Sequence, residues 1–322
     1  MADRANTHAG TASAAHLARA TGTRVASSEA RASADSVGEP PTAESTALLL
    51  AQPRGAENLL GVVNGVLTPA RAAMIPARDE GFLRGDGAFE VLLVYGGRPF
   101  AAPEHLERLQ RSCAVLRLAY PRRQVERDLQ TLVAASGQST YAVRIVLTRA
   151  GNRIVLAEPW RPPSKPSRLW LVTNRQQPLL VGAKSLSYAG NMLAQRLARE
   201  QGYDDALWVS EDGYVLEGQT AAFFWVSAVG ELCTPPLTEP ILDSISRRVI
   251  LRQLEVRERR CPREEALACR EAFLASTTKE VQPVSAIDGR KLGQVGGAWT
   301  KRARAAYRNA VARELGKGEE RR

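Results

Sequence analysis

The side chain best suited to covalent chemistry in this sequence is the amine of Lys184. The chain has 38 Arg but only 6 Lys, so arginine serves most surface roles. Lys184 follows the apolar run 179–183. An amine beside apolar groups is poorly solvated, so its pKa falls and its neutral form can attack a carbonyl. Lys184 is therefore a candidate Schiff-base lysine. A lysine that extends from a strand end into solvent fits the same local residues.

Histidine and cysteine exclude several other kinds of active site. Of three histidines, His8 and His16 lie in a low-complexity region, which leaves only His105. This scarcity argues against a Ser-His-Asp triad and a His-rich metal site, so we expect no metal. The four cysteines show no C-x-x-C spacing and predict no disulfide framework, which favours a cytoplasmic location. In an enzyme of this composition, lysine is the remaining acid–base group.

The charge pattern bears on possible partners. The net charge is +10, but the arginines are scattered and aromatic residues make up only 6% of the chain. Nucleic-acid grooves combine clustered basic residues with stacking aromatics, so we expect no nucleic-acid partner. No apolar run approaches the roughly 18 residues of a membrane span, so we also expect no membrane contact.

The first third of the chain changes from a polar tail to regular structure. Residues 1–57 are rich in Ala, Thr, Ser and Gly, which predicts a disordered tail. Asn64-Gly65 between two apolar runs predicts a β-hairpin. Three glycines within 81–87 predict a tight loop that leads into a strand.

Two further elements carry arginines. The apolar spacing over 104–118 predicts a helix, with Arg108 at the border of its buried face. The alternating segment 141–147 predicts a strand that carries Arg144, followed by a turn over 148–153.

Three prolines within residues 162–166 indicate a linker between two α/β domains. We predict a small α/β domain over 58–158, a Pro-rich linker over 159–167, a larger α/β domain over 168–315 and a charged tail over 316–322.

The larger domain contains the elements around Lys184. A helix is predicted over 188–200, with the lysine just before its first turn. A strand, turn and strand end at Glu217-Gly218. Either Ser244 or Ser246 is expected to cap the helix that follows.

The order of several short motifs resembles that of the class IV, or fold type IV, pyridoxal-phosphate-dependent enzymes. This group includes branched-chain and D-amino-acid aminotransferases and 4-amino-4-deoxychorismate lyase. The resemblance extends from about residue 59 to 310 and implies an active site between the two domains. The motifs are Gly-Asp-Gly-Ala-Phe-Glu, Glu-His-Leu-Glu-Arg-Leu, Lys-Ser-Leu-Ser-Tyr, Leu-Glu-Gly, Ile-Leu-Asp-Ser-Ile-Ser-Arg and Ser-Thr-Thr-Lys-Glu-Val.

The resemblance implies three principal cofactor contacts. Lys184 would bind the aldehyde of pyridoxal 5′-phosphate as a Schiff base and then move a proton between substrate and cofactor. Glu217 would pair with the pyridine nitrogen and keep it protonated. Arg108 would bind the phosphate, since a guanidinium fork suits a dianion.

It also implies four weaker contacts. Tyr188 matches the family's tyrosine near the phenolic oxygen of the cofactor. Ile245 and Ser246 would donate to the phosphate from a helix start, and Thr277 would add a hydroxyl. In solvent or in an ordinary core, the same residue types serve as helix caps and packing side chains.

The substrate end of the site is less defined by the sequence. Arg144, Arg149 and Arg153 are candidates for binding a substrate carboxylate, and at least one of them is expected to face solvent. Two segments also depart from the family pattern. Members often have Ser-Asn or Glu-Asn, then an apolar residue and Phe, after Glu-Gly, whereas residues 217–224 read Glu-Gly-Gln-Thr-Ala-Ala-Phe-Phe. Ser-Thr-Thr at 276–278 stands where branched-chain aminotransferases favour Ser-Gly-Thr-Ala.

These observations predict an aminotransferase that moves an amino group between an amino acid and a 2-oxo acid. The alternative is 4-amino-4-deoxychorismate lyase, which would use the same lysine to release pyruvate and 4-aminobenzoate. A non-catalytic basic binding protein on the same scaffold is a third, more remote hypothesis. The resemblance also implies a homodimer.

Overall fold

The first of two β-sheets is a six-stranded antiparallel sheet with the strand order β2-β1-β6-β5-β3-β4. The computed structural model describes residues 59–174 and 177–316. The predicted disordered tail over 1–57 lies outside the described residues, as does the predicted charged tail over 316–322 apart from Gly316, which ends the last helix. The strands are β1 (Leu60–Val63), β2 (Val66–Pro69), β3 (Gly87–Tyr95), β4 (Arg98–Pro99), β5 (Tyr141–Thr148) and β6 (Arg153–Glu158).

Two long helices cover one face of this sheet, and a short helix precedes β3. They are α1 (Glu80–Arg84), α2 (Ala102–Val115) and α3 (Arg122–Ser136). Leu106, Leu109 and Cys113 recur at helical spacing on α2 and are buried against Val143 and Val155 of the sheet. This packing fixes the position of α2, which carries Arg108.

The second sheet has ten strands and mixed directions. Its order is β12-β11-β10-β14-β15-β7-β8-β9-β13, and β16 pairs with β15. The central neighbours β15, β7 and β8 are parallel, which brings several strand ends to one edge. The strands are β7 (Ser167–Thr173), β8 (Asp205–Val209), β9 (Tyr214–Gly218), β10 (Ala222–Val226), β11 (Leu232–Thr234), β12 (Arg257–Glu258), β13 (Cys261–Pro262), β14 (Ala272–Ser276), β15 (Glu280–Ile287) and β16 (Arg290–Lys291).

Helices pack on the second sheet through separate apolar clusters. Ala194 and Ala198 of α4 (Ala189–Glu200) are buried with Trp208 of β8. The helices α5 (Ile245–Leu251) and α7 (Ala298–Gly316) share a cluster with the stacked rings of Phe224 and Phe273. The short helix α6 (Arg263–Ala268) closes the remaining apolar cluster.

The predicted α/β architecture is confirmed, with one local error. The loop predicted around the glycines of 81–87 contains the helix α1, which Asp79 caps by accepting a hydrogen bond from Gly81 N–H at 2.6 Å. Residues 159–166 form no helix or strand. Within the described ranges, no helix is both long and apolar enough to cross a lipid bilayer.

Candidate active site

A cavity of about 420 Å³ lies between the two sheets. The first sheet and its helix α2 contribute Phe89, Arg108 and Arg144 to the lining. The volume is within the usual range for a small-molecule site, and the lining mixes apolar surface with a few charged groups. The segment before α4 adds Lys184 and Tyr188 to the lining, and the end of β9 adds Glu217. Ser244, which precedes α5, and Thr277, which follows β14, complete it.

The backbone around Lys184 is bonded to the edge of the first sheet. Phe89 N–H donates to Lys184 O at 2.9 Å, and Leu186 N–H donates to Gly87 O at 2.8 Å. Lys184 N–H donates to Ser112 Oγ of α2 at 3.0 Å. The lysine is therefore held by regular structure, although it lies outside any helix or strand of its own.

The amine of Lys184 faces two aromatic rings. Its Nζ lies 4.3 Å from the ring centroid of Phe89 and 5.5 Å from that of Tyr188. Burial lowers the pKa of Lys184 to about 8, and the charge of Arg108 acts in the same direction. A substantial fraction of this amine is neutral, and hence nucleophilic, at mildly alkaline pH.

Glu217 lies at the end of β9 and presents a carboxyl group to the same cavity. Its Oε1 accepts a hydrogen bond from Leu242 N–H at 3.0 Å. Burial raises the pKa of Glu217 to about 7, although this hydrogen bond and the charge of Lys184 favour the carboxylate. A cationic ring nitrogen beside it would favour the carboxylate further.

Arg108 is held rigidly by Glu90, a residue that the sequence analysis did not single out. The two side chains pair through Nε–Oε1 at 2.7 Å and Nη2–Oε2 at 2.8 Å, and Arg108 Nη1 also donates to Asp243 O at 3.0 Å. Burial alone would raise the pKa of Glu90, but Arg108 and a hydrogen bond with His105 hold it well below its usual range. The signal was available: Glu90 is the one acid in the apolar run of β3.

The start of α5 forms the cavity wall nearest Arg108. Ser244 is its N-cap, since Ser244 Oγ accepts from Arg247 N–H at 3.3 Å, and it lines the cavity. Ile245 and Ser246 begin the helix but are buried behind the lining. Thr277 reaches the cavity from the turn after β14. Free N–H groups at the helix start and these hydroxyls suit an anion.

Tyr188 is held in place by the turn that follows β9. Its hydroxyl donates to Gln219 O at 2.9 Å, and Asn191 Nδ2 donates to the same oxygen at 2.7 Å. Burial raises the pKa of Tyr188 above its usual value, so the phenol stays protonated. The Gln219 side chain is buried and donates to Asp205 Oδ1 at 2.6 Å. In the turn that departs from the family pattern, both the side chain and the backbone carbonyl of Gln219 are thus hydrogen-bonded.

The three candidate substrate arginines have different positions. Arg144 lines the cavity, pairs with Glu158 at 2.6 Å and places its guanidinium carbon 5.4 Å from the ring centroid of Phe89. Arg149 instead pairs with Asp86, at 2.9 Å. Arg153 pairs with Asp128 at 2.8 Å. Neither Arg149 nor Arg153 is among the lining residues, so of these three candidates Arg144 alone lines the cavity in the described part of the chain.

Residues 87–287 match the family model for amino-transferase class IV, which covers more than half of the chain. The chain belongs to the class IV aminotransferases. A putative branched-chain-amino-acid aminotransferase of Methanocaldococcus jannaschii is 31% identical over 73% of this chain and 90% of the relative. A D-alanine aminotransferase of Bacillus licheniformis is 28% identical over 79% of this chain and 98% of the relative. A fold IV-transaminase of Curtobacterium pusillum superposes with a TM-score of 0.70 at 28% identity, over 77% of this chain and 97% of that chain.

Class IV aminotransferases use pyridoxal 5′-phosphate, and the chemistry of the lining residues fits this cofactor. A lysine amine of lowered pKa suits its aldehyde, a buried carboxyl group suits its ring nitrogen, and an arginine beside a helix start suits its phosphate. The family and the cofactor expected from the sequence are thereby confirmed. No group of three or more His, Cys, Asp or Glu in the described ranges could hold a metal ion.

Proposed function

We propose that Lys184 is the catalytic residue of a transaminase that takes its amino group from an amino acid and passes it to a 2-oxo acid. The observation that carries this assignment is the Lys184 amine beside the rings of Phe89 and Tyr188 in the inter-sheet cavity, with Glu217 and Arg108 on the same lining. Arg108, Ser244 and the backbone at Ile245 and Ser246 would hold the cofactor phosphate, with the Thr277 hydroxyl. Tyr188 would border the phenolic oxygen.

The titratable residues leave few options for proton transfer. Among the described lining residues these groups are Arg108, Arg144, Lys184, Tyr188 and Glu217. Arginine stays charged and the Tyr188 phenol stays protonated. When bound, pyridoxal phosphate supplies an electron sink for the substrate Cα. Lys184 Nζ then takes and returns the proton, while Glu217 neutralises the positive charge at the ring nitrogen.

Arg144 supports a substrate that carries a carboxylate. Its Nε and Nη2 bond to Glu158, at 2.6 and 3.1 Å, which fixes the guanidinium plane at the cavity wall. The remaining Nη1 group can bind a substrate carboxylate.

The proposal includes the predicted domain division, with the large cofactor-binding domain over 168–315, as well as a homodimer and a cytoplasmic location. Relatives named for D-alanine and for branched-chain amino acids support amino-acid donors of either the D or the L configuration.

A half-reaction with single amino acids tests this function. Holoenzyme mixed with a panel of L- and D-amino acids should lose its visible absorption band, and a 2-oxo acid should restore it. Lys184→Ala protein should do neither. The class also includes aminodeoxychorismate lyases, so aminodeoxychorismate is supplied separately. Release of 4-aminobenzoate with no amino-acid half-reaction would overturn the transaminase assignment.

A further inference from the structure

A second lysine, Lys279, is largely shielded from solvent in the turn between β14 and β15. The Lys279 side chain is only 16% exposed, and its Nζ donates to Asp205 Oδ2 at 2.7 Å and to Gln282 Oε1 at 2.9 Å. Asp205 is likewise buried, with 5% of its side chain exposed. Removing two charges from water carries a desolvation penalty, which a good pairing geometry offsets only in part. Such a pair is therefore weak evidence for a contribution to stability alone.

The pair is connected to the cavity by an unbroken series of hydrogen bonds. The second oxygen of Asp205, Oδ1, accepts from Gln219 Nε2 at 2.6 Å. Gln219 Oε1 accepts from Ala206 N–H at 3.0 Å, so both ends of this side chain are fixed. Its backbone carbonyl accepts the hydroxyl of Tyr188 at 2.9 Å.

We propose that Lys279 and Asp205 are a positioning pair, which fixes the Gln219 turn and thereby the orientation of Tyr188 beside Lys184. The inference rests on the proposed function and assigns a role to residues outside the cavity lining. Lys279 directly follows the Ser-Thr-Thr segment at 276–278, all three residues of which line the cavity. Lys279 and the Gln219 turn after Glu217 belong to one hydrogen-bonded network.

Lys279 also lies in a second cavity turn. Its backbone N–H donates to Ser276 Oγ at 3.3 Å, within the turn that carries Thr277. Trp160 Nε1 donates to Thr278 O at 2.8 Å from the opposite side. The same lysine therefore joins the turn beside Tyr188 to the turn at the phosphate end.

The pH dependence of the cofactor's visible band separates positioning from stability. Arg108, Glu90, Glu217 and Arg144 are the charges that most affect the pKa of Lys184, so we expect Lys279 to act through the hydrogen-bonded network rather than through its own charge. In Lys279→Met holoenzyme, the titration midpoint should move by about half a pH unit or more in the same direction as in Tyr188→Phe. The double variant should move no further than Tyr188→Phe alone, because both changes affect one group. In addition, kcat should fall about tenfold with KM within about twofold.

Lys291→Met is the matched control, because it makes the same substitution at an exposed lysine on β16. Its midpoint should equal that of the unmodified chain. Should Lys279→Met fail to fold, Gln219→Leu breaks the connection one step nearer the cavity and leaves the Lys279–Asp205 pair intact. The same midpoint shift is expected there.

A normal midpoint in folded Lys279→Met or in Gln219→Leu would overturn the inference, and so would a shift that adds to that of Tyr188→Phe. Failure of the proposed function looks different. In that case borohydride would fix no cofactor to Lys184 in the unmodified chain.

Discussion

In the cavity, the pKa values of Lys184 and Glu217 are both shifted so that the uncharged form of each group is favoured. Burial penalises both charged forms, so the pKa of the amine falls to about 8 and that of the carboxyl group rises to about 7. Each group is thus tuned into the range where protons can be exchanged near neutral pH. An aldehyde cofactor with a basic ring nitrogen makes use of both shifts.

The first prediction concerns cofactor capture by Lys184. Only the neutral amine attacks an aldehyde, so the capture rate of cofactor-free protein should rise with pH and level off above a midpoint near 8. An ordinary lysine would still be gaining neutral amine near pH 10.4. Stopped-flow absorbance at a series of pH values measures this. A midpoint above about pH 10 would show that the cavity does not desolvate the amine.

The second prediction separates Arg144 from Arg149. Arg144→Met should raise KM for a 2-oxo acid about ten- to hundredfold, because a charge-assisted contact to substrate is lost. Arg149→Met is the matched control, since this arginine is also paired with a carboxylate but lies outside the cavity lining. Steady-state kinetics on both variants measure the effect. Equal KM values in the two variants would remove Arg144 from the substrate site.

At the residue scale, the sequence predicted residue types better than it predicted their partners. The motifs led to Lys184, and the helical spacing placed Arg108 at a buried face, where the structure has it. The choice among Arg144, Arg149 and Arg153 was not available, because their partners Glu158, Asp86 and Asp128 lie 14 to 63 positions away in sequence. Only the sheet register shows which arginine reaches the cavity.

At the element scale, the start of α5 has two functions. Ser244 caps the helix and also lines the cavity. The sequence did not distinguish Ser244 from Ser246 as the N-cap, since serine is favoured at N-cap positions and both residues are serines. The structure selects Ser244, and Ser246 is buried inside the first turn.

The helix α1 was missed because its glycines suggested a loop, although Asp79 is a typical cap and Gly85 adopts a left-handed φ of 68°.

The third prediction uses Ser244 to separate these two functions. Ser244→Ala removes the cap and should lower the free energy of unfolding by about 1 kcal/mol. Ser244→Asp keeps a capping oxygen and should retain stability, but its negative charge should weaken binding of the anionic cofactor. Urea denaturation and cofactor titration measure the two quantities. Unchanged cofactor affinity in Ser244→Asp would place the phosphate elsewhere.

At the scale of the whole molecule, one of the contacts that join the two sheets is built on a buried ion pair. Glu90 of β3 binds Arg108 of α2, and Arg108 donates to the backbone of Asp243 just before α5. Apolar periodicity predicted the helices and most strands because it is local. Contacts between the sheets join residues far apart in sequence, such as Arg108 and Asp243, which are 135 positions apart. A single sequence does not encode such contacts in any short pattern.

The fourth prediction tests this connection. Glu90→Gln leaves the buried charge of Arg108 without a full partner and should cost about 3–5 kcal/mol of unfolding free energy. Glu126→Gln is the control, because it breaks an exposed Arg–Glu pair of α3 and should cause no measurable change. Chemical denaturation of cofactor-free protein compares the two. A loss in Glu90→Gln no greater than in the control would contradict the role of the pair.

Lys184 is hydrogen-bonded to the edge of β3, whereas Glu217 belongs to β9. A cofactor bound covalently to Lys184 and paired with Glu217 would bridge the two sheets. Its absorption spectrum should therefore change if the sheets move relative to each other. Moderate hydrostatic pressure should therefore shift the absorption maximum of the cofactor before the far-UV circular dichroism decreases. The cofactor would then report relative movement of the two sheets while the protein is still folded.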